Sequence, residues 1–222
     1  MCGIFGSTRL EQFKTLYAIN KQRGDFAYGG VYVSSADSVI HKVPGEPNME
    51  HGANSDYYLG HTQAPTSVER EHSVDTSHPF QHNDWVVAHN GVLSNDRDNI
   101  QEYWMGSPPD TVNNVDSSVI PAFIDHCYIG EDSDENEIKA ITCALGALKG
   151  TFGVWIYNEN SDNKYLARVG STLFRDARDN HFSSIQDPYH TLVPLKEGVL
   201  YKITDTIDPV GKFEYSSPFF VL

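Results

Sequence analysis

Positive charge, cysteine and long apolar runs are all scarce in this chain, and each scarcity excludes something. Lys and Arg number 16 against 30 Asp and Glu, a net charge of −14 over 222 residues. Nucleic acid and anionic membranes are held by clustered cations, so this balance argues against either as the main partner. Solubility accounts for the acidity. The three cysteines, Cys2, Cys127 and Cys143, are too few and of the wrong parity for a disulfide framework. No secretory leader is read at the start, and the expected compartment is reducing and cytoplasmic. No apolar run approaches the roughly 20 residues of a membrane span. The ten histidines form no HExxH pair and the cysteines no CxxC pair, so neither a metal site nor a cofactor is indicated.

What is present is the composition of a folded globule. Hydrophobic residues make up 39% and aromatics 12%, enough for a substantial core. The length fits one domain, expected over residues 1–222, with no internal repeat and no linker. Cys2 to Gly6 reads as a short buried strand. Arg9 to Arg23 reads as a helix, apolar at Leu10, Phe13, Leu16, Tyr17 and Ile19, with Gly24 as its stop. Val31–Val33 and Ser38–Val43 read as a hairpin, and Tyr57–Gln63 as a third strand. Asn90-Gly91, between the apolar runs of Trp85–Leu93, carries the signal of a hairpin turn. A short helix is expected from Ser94 or Asn95 to Tyr103, another within Asp110 to His126, and an amphipathic one over Glu137–Lys149. Short strands then follow at about ten-residue spacing: Phe152–Tyr157, Lys164–Val169, His181–Ile185, Gly198–Ile203 and Lys212–Tyr215. No βαβ alternation appears, so the sheets should be antiparallel.

The chemistry starts at Cys2. A small second residue favours removal of Met1, which would leave Cys2 with a free α-amine and a thiol on one skeleton. These titrate near ~7.7–8.0 and ~8.5, so the amine can take the thiol proton as the sulfur attacks. Read alone, Cys2 is equally a small buried hydrophobe at a chain end.

Other segments add to it in order along the chain. Cys2-Gly3-Ile4-Phe5-Gly6, Arg23-Gly24, His61-Thr62-Gln63-Ala64-Pro65-Thr66, Ala88-His89-Asn90-Gly91-Val92 and Asp116 together resemble the glutaminase domain of class II glutamine amidotransferases. These are N-terminal nucleophile hydrolases, and the likeness is greatest to the glutaminase halves of glucosamine-6-phosphate synthase and amidophosphoribosyltransferase. The resemblance implies an α+β fold, an αββα sandwich of two antiparallel sheets faced by helices. It implies glutamine as substrate, with Cys2 attacking the side-chain amide to give a γ-glutamyl thioester, ammonia and then glutamate. It assigns Asn90 and Gly91 to the oxyanion hole, Asp116 to the substrate α-ammonium, Arg23 to closure over the N-terminal residue, and Gln63 and Thr66 to the loop flanking the pocket. Each retains a plainer reading: a tight turn for Asn90-Gly91, a helix-start carboxylate for Asp116, a solvated helix-end cation for Arg23.

Two departures stand out. The family has Arg where Gln63 stands, and Phe26 and Ala27 replace its usual Asp and Ser. The chain also reaches Leu222 without a synthase domain, which implies either a separate ammonia-accepting synthase as partner or a domain that acts alone. Gln63 leaves open a different amide substrate, and a non-catalytic interaction module is the third reading. Cys127 and Cys143 lie in helical apolar patterns and read as buried.

Overall fold

The computed structural model describes residues 2–64, 73–94, 115–188 and 191–216. Thr66, the Ser94-to-Tyr103 helix expectation beyond residue 94, and the last six residues lie outside them.

Thirteen strands in the described residues make two antiparallel sheets. The first sheet has the order β11-β9-β10-β1-β4-β2-β3, built from β1 (Gly3–Ser7), β2 (Ala27–Val33), β3 (Ser38–Pro44), β4 (Tyr57–Gln63), β9 (Phe174–Asp176), β10 (Phe182–Ser183) and β11 (Leu192–Pro194). The second has the order β13-β12-β8-β7-β6-β5, from β5 (Phe80–His82), β6 (Trp85–Leu93), β7 (Gly150–Asn158), β8 (Lys164–Val169), β12 (Val199–Ile203) and β13 (Ile207–Lys212). Alternation along each strand sorts the side chains into layers. Ile4, Val31, Leu59, Val86, Ala88, Trp155 and Leu166 meet between the sheets. Phe5, Tyr28, Tyr32 and Tyr58 point the other way, under α1 (Leu10–Asn20) with its Phe13 and Leu16. Trp85, Val87, Phe152, Val154 and Ile156 point out of the second sheet to α2 (Val119–Cys127) and α3 (Asp134–Ala147). The result is the four-layer αββα sandwich, with three aromatic-rich apolar layers holding it.

Several expectations are corrected. Asn90-Gly91 is not a turn: β6 runs straight through it, paired with β7 in the register Asn90↔Gly153 and Gly91↔Phe152. Gly91 has φ +153, and a Cβ there would lie 2.0 Å from the Thr151 carbonyl oxygen. The glycine serves a close approach of backbones, not a reversal. The strand expected at Lys212–Tyr215 is instead Ile207–Lys212, an edge strand where Pro209 lacks no needed hydrogen bond. α3 starts at Asp134 because the Ser133 hydroxyl accepts from the Asn136 N–H. Cys143 is exposed and Cys127 only half-buried, so neither is the sealed core thiol expected.

Candidate active site

β1 and β4 pair in the register Gly3↔Thr62 and Ile4↔His61, which sets Cys2 opposite Gln63 when continued one residue. Cys2 therefore shares with Ile4 the face that looks into the space between the sheets. Asn90 reaches the same space from the second sheet, two residues beyond the inward Ala88.

Arg23 ends the 3₁₀ turn that follows α1, and its guanidinium spans three chain segments. Nη2 donates to Thr172 Oγ1 at 2.6 Å and to the Ser184 carbonyl at 2.9 Å, and Nη1 lies 3.5 Å from the Cys2 carbonyl. Asn90 completes the knot with its amide set to satisfy both neighbours. Nδ2 donates to the Cys2 carbonyl at 2.8 Å and Oδ1 accepts from Arg23 Nη1 at 3.2 Å. Gly24 lets the chain close here, since a Cβ on it would meet the Ala64 nitrogen at 2.4 Å. The Ala64 N–H in turn points at the Cys2 sulfur.

Cys2 retains some solvent exposure yet sits deep among protein atoms. Burial pushes its thiol up from the ordinary range; the Ala64 N–H and the Arg23 charge pull it back, and the Asp116 carboxylate pushes it further up. Burial holds the Arg23 guanidinium below its usual range, partly offset by Cys2.

Asp116 opens a 3₁₀ turn ahead of α2. Its Oδ2 accepts the Leu93 N–H at 2.9 Å, and its Oδ1 accepts the Ser117 N–H at 2.9 Å. The carboxylate thus ties the α2 start to the end of β6. His89, on the outward face of β6, locks the same turn. Its Nδ1 is 2.8 Å from Ser117 Oγ, and its Nε2 is 3.2 Å from the Thr151 carbonyl. A carbonyl only accepts, so Nε2 carries the proton and Nδ1 accepts from Ser117.

Gln63 is 6% exposed. Its Nε2 lies 3.5 Å from the Thr76 carbonyl, which can only accept, so the amide nitrogen faces that way. Oε1 is buried and has no hydrogen-bond partner among the described residues. The open end of Gln63 is an acceptor.

His61 lies two residues before it, also facing inward, with Nε2 3.2 Å from the His89 carbonyl and its ring stacked on His78 at 4.1 Å. Burial pushes its pKa down to about 3, and burial lowers His89 as well. The unfolded chain binds a proton on each near ~6.5. Stability is therefore complete above about pH 6.5 and falls as pH drops toward 3, because only the unfolded state is protonated there. Between pH 6.5 and 4, His61 alone accounts for up to roughly 3 kcal/mol. Urea titrations at pH 7 and pH 4 should show a large loss at the lower pH, and His61→Gln should shrink the difference between them.

Of the sequence-predicted residues, the structure brings Cys2, Arg23, Gln63 and Asn90 together, with Gly91 adjoining and Asp116 near enough to raise the Cys2 thiol. The sequence reading missed Thr172 and Ser184, which anchor Arg23 from 149 and 161 residues away, and the His89–Ser117 latch. Among the described residues no group of three or more His, Cys, Asp or Glu could hold a metal ion. None of the described helices is long and apolar enough to cross a membrane.

No family model matches the chain. It is 24% identical over 182 residues to the 7-cyano-7-deazaguanine synthase of Sulfolobus acidocaldarius, covering 75% of this chain and 37% of that one. It is 29% identical over 122 residues to the isomerizing glutamine–fructose-6-phosphate aminotransferase of Methanocaldococcus jannaschii, covering 51% and 11%. In structure it is similar to the glutamine phosphoribosylpyrophosphate amidotransferase from B. subtilis, with TM-score 0.69, 18% identity and 97% of this chain matched to 50% of that one. A glutamine aminotransferase class-II domain protein from Silicibacter pomeroyi matches with TM-score 0.59 and 14% identity, over 96% of this chain and all of that one. The chain thus spans from about a tenth to half of the longer proteins it matches. The structural matches show that this chain has the fold of the class II glutamine amidotransferase domains, the family its sequence resembles.

Proposed function

We propose that the chain hydrolyses the side-chain amide of glutamine to glutamate and ammonia, the ammonia passing to a separate acceptor enzyme. The observation that carries this reading is the convergence on Cys2 of Arg23, Asn90 and the Ala64 N–H, drawn from three other segments of the chain. In it Cys2 is the nucleophile. With Met1 removed, its own α-amine takes the thiol proton and delivers it to departing ammonia, and water later releases glutamate from the thioester. Asn90 spends one amide hydrogen on the Cys2 carbonyl and keeps the second for the developing oxyanion, with the Gly91 N–H assigned as the other donor. Arg23 holds Asn90 and the Cys2 backbone in place. Asp116, Gln63 and Thr66 hold the α-ammonium and α-carboxylate end. The Silicibacter pomeroyi class-II domain protein, matched over the whole of that chain, supports a unit of this size with this fold. Glutamate release from glutamine, followed in the purified protein, tests the reading; no release at millimolar glutamine removes it.

A second reading, the same nucleophile acting on a different amide, is favoured by one observation. The open end of Gln63 is an acceptor, better suited to an N–H than to a carboxylate. Gln63→Arg separates the two. A guanidinium can satisfy Thr76 and still offer charge, and a charged hydrogen bond exceeds a neutral one by about 1.4 kcal/mol, or tenfold in affinity. If glutamine is the substrate, KM should fall about tenfold with kcat little changed, since that end of the substrate does not change charge during reaction. Activity lost in Gln63→Arg and kept in Gln63→Ala would favour the other amide.

A further inference from the structure

We propose that Cys127 and Cys143 form a thiol–disulfide exchange site, at which a small-molecule disulfide closes an intramolecular bridge between α2 and α3. This inference stands apart from the glutamine reading and from Cys2. Cys127 is the last residue of α2, and Cys143 lies in the third turn of α3. The two sulfurs are 2.8 Å apart, both thiols free, with the helices packed side by side on the second sheet. The two residues differ in access. Cys143 is exposed and Cys127 half-buried. Both line an open cavity of about 650 Å³, walled also by Phe123, Ile129, Lys139 and Phe213. That volume lies in the range that admits a small ligand.

The access difference orders the chemistry. Burial and the neighbouring sulfur raise the Cys127 thiol, so it is the poorer first nucleophile. Cys143, as thiolate, attacks one sulfur of the small disulfide. A mixed disulfide forms and one small thiolate leaves. Cys127 then gives its proton to solvent and attacks the Cys143 sulfur, expelling the second small thiolate. Two protein thiols lose two electrons and two protons; one disulfide becomes two thiols. The reverse, by a reducing thiol, reopens the bridge. In a reducing compartment the pair rests as the dithiol and closes when the disulfide fraction of the thiol pool rises.

The test is incubation of the full chain, first reduced, with excess oxidised glutathione. Acid quenching, intact-mass measurement and peptide mapping without reductant follow. The expected product has lost about 2 Da, as two protons and two electrons leave. It yields one linked peptide pair containing Cys127 and Cys143, and both changes reverse with dithiothreitol. Closing a loop of 16 residues should raise Tm by roughly 5–10 °C. Cys127→Ser should stop at a glutathione adduct on Cys143, and Cys143→Ser should form no bridge. The proposal is overturned if wild-type protein accumulates the adduct on Cys143 without resolution, if both thiols stay alkylatable after long exposure, or if the linked peptides come from two chains.

Discussion

Cys2→Ala should abolish glutamine hydrolysis, with a loss of more than about 10⁴-fold in kcat, while the protein stays folded. Removing the nucleophile of a covalent mechanism costs rates of this order, because what remains is binding and the oxyanion donors alone. The fold should tolerate the change. Cys2 keeps some solvent exposure, precedes β1, and is held chiefly by its backbone: its carbonyl takes the Asn90 and Arg23 contacts. Those bonds survive in alanine, so the unfolding free energy from urea titration should change by no more than about 1 kcal/mol. A Cys2→Ala protein that still releases glutamate at the wild-type rate would place the nucleophile elsewhere.

Asn90→Ala should be the next largest effect, a fall of roughly 10²–10³ in kcat with KM nearly unchanged, the usual cost of one oxyanion donor. Here the amide has a second task. It donates to the Cys2 carbonyl and accepts from Arg23, and it is buried at 3% exposure. Truncation removes both of these bonds and leaves the Cys2 carbonyl only the long Arg23 contact, which adds a stability loss of about 1–3 kcal/mol. Asn90→Asp separates the two tasks. A carboxylate keeps the Arg23 contact but has no N–H to give the Cys2 carbonyl or an oxyanion. Stability that recovers only in part in Asn90→Asp, through the Arg23 contact, while kcat stays low is the expected pattern. If kcat recovers with stability, Asn90 acts only by holding the fold.

Much of this was legible in the sequence where local pattern and tertiary need agree. β4 was read to the residue as Tyr57–Gln63 and β8 as Lys164–Val169, because both are apolar, β-rich runs with turn residues at each end. The helix expected over Arg9–Arg23 divides into α1 and a 3₁₀ turn over Lys21–Arg23, and Gly24 ends that turn rather than α1. The reading failed where tertiary contact overrides local signal. Asn-Gly means a turn in isolation, but β7 lies across it and Thr151 needs the space that a Gly91 side chain would take. Strands of two or three residues, such as β5, β9 and β11, carry too few positions to show a period. The candidate site was legible as motifs only. That Thr172 and Ser184 anchor Arg23 could not be read, because nothing local marks either residue and the contacts close across some 150 residues or more. Cys143 misled because the helix pattern around it is apolar, while its own position on α3 faces out.

The most direct test is covalent capture with a glutamine-analogue diazoketone, read by intact mass and peptide mapping on active, reduced protein. The expected result is a single adduct on the Cys2 sulfur, on a chain that begins at Cys2 with Met1 removed, with glutamine protecting against it. An adduct confined to Cys127 or Cys143, or full activity in protein that retains Met1, would contradict an N-terminal cysteine that serves as its own base.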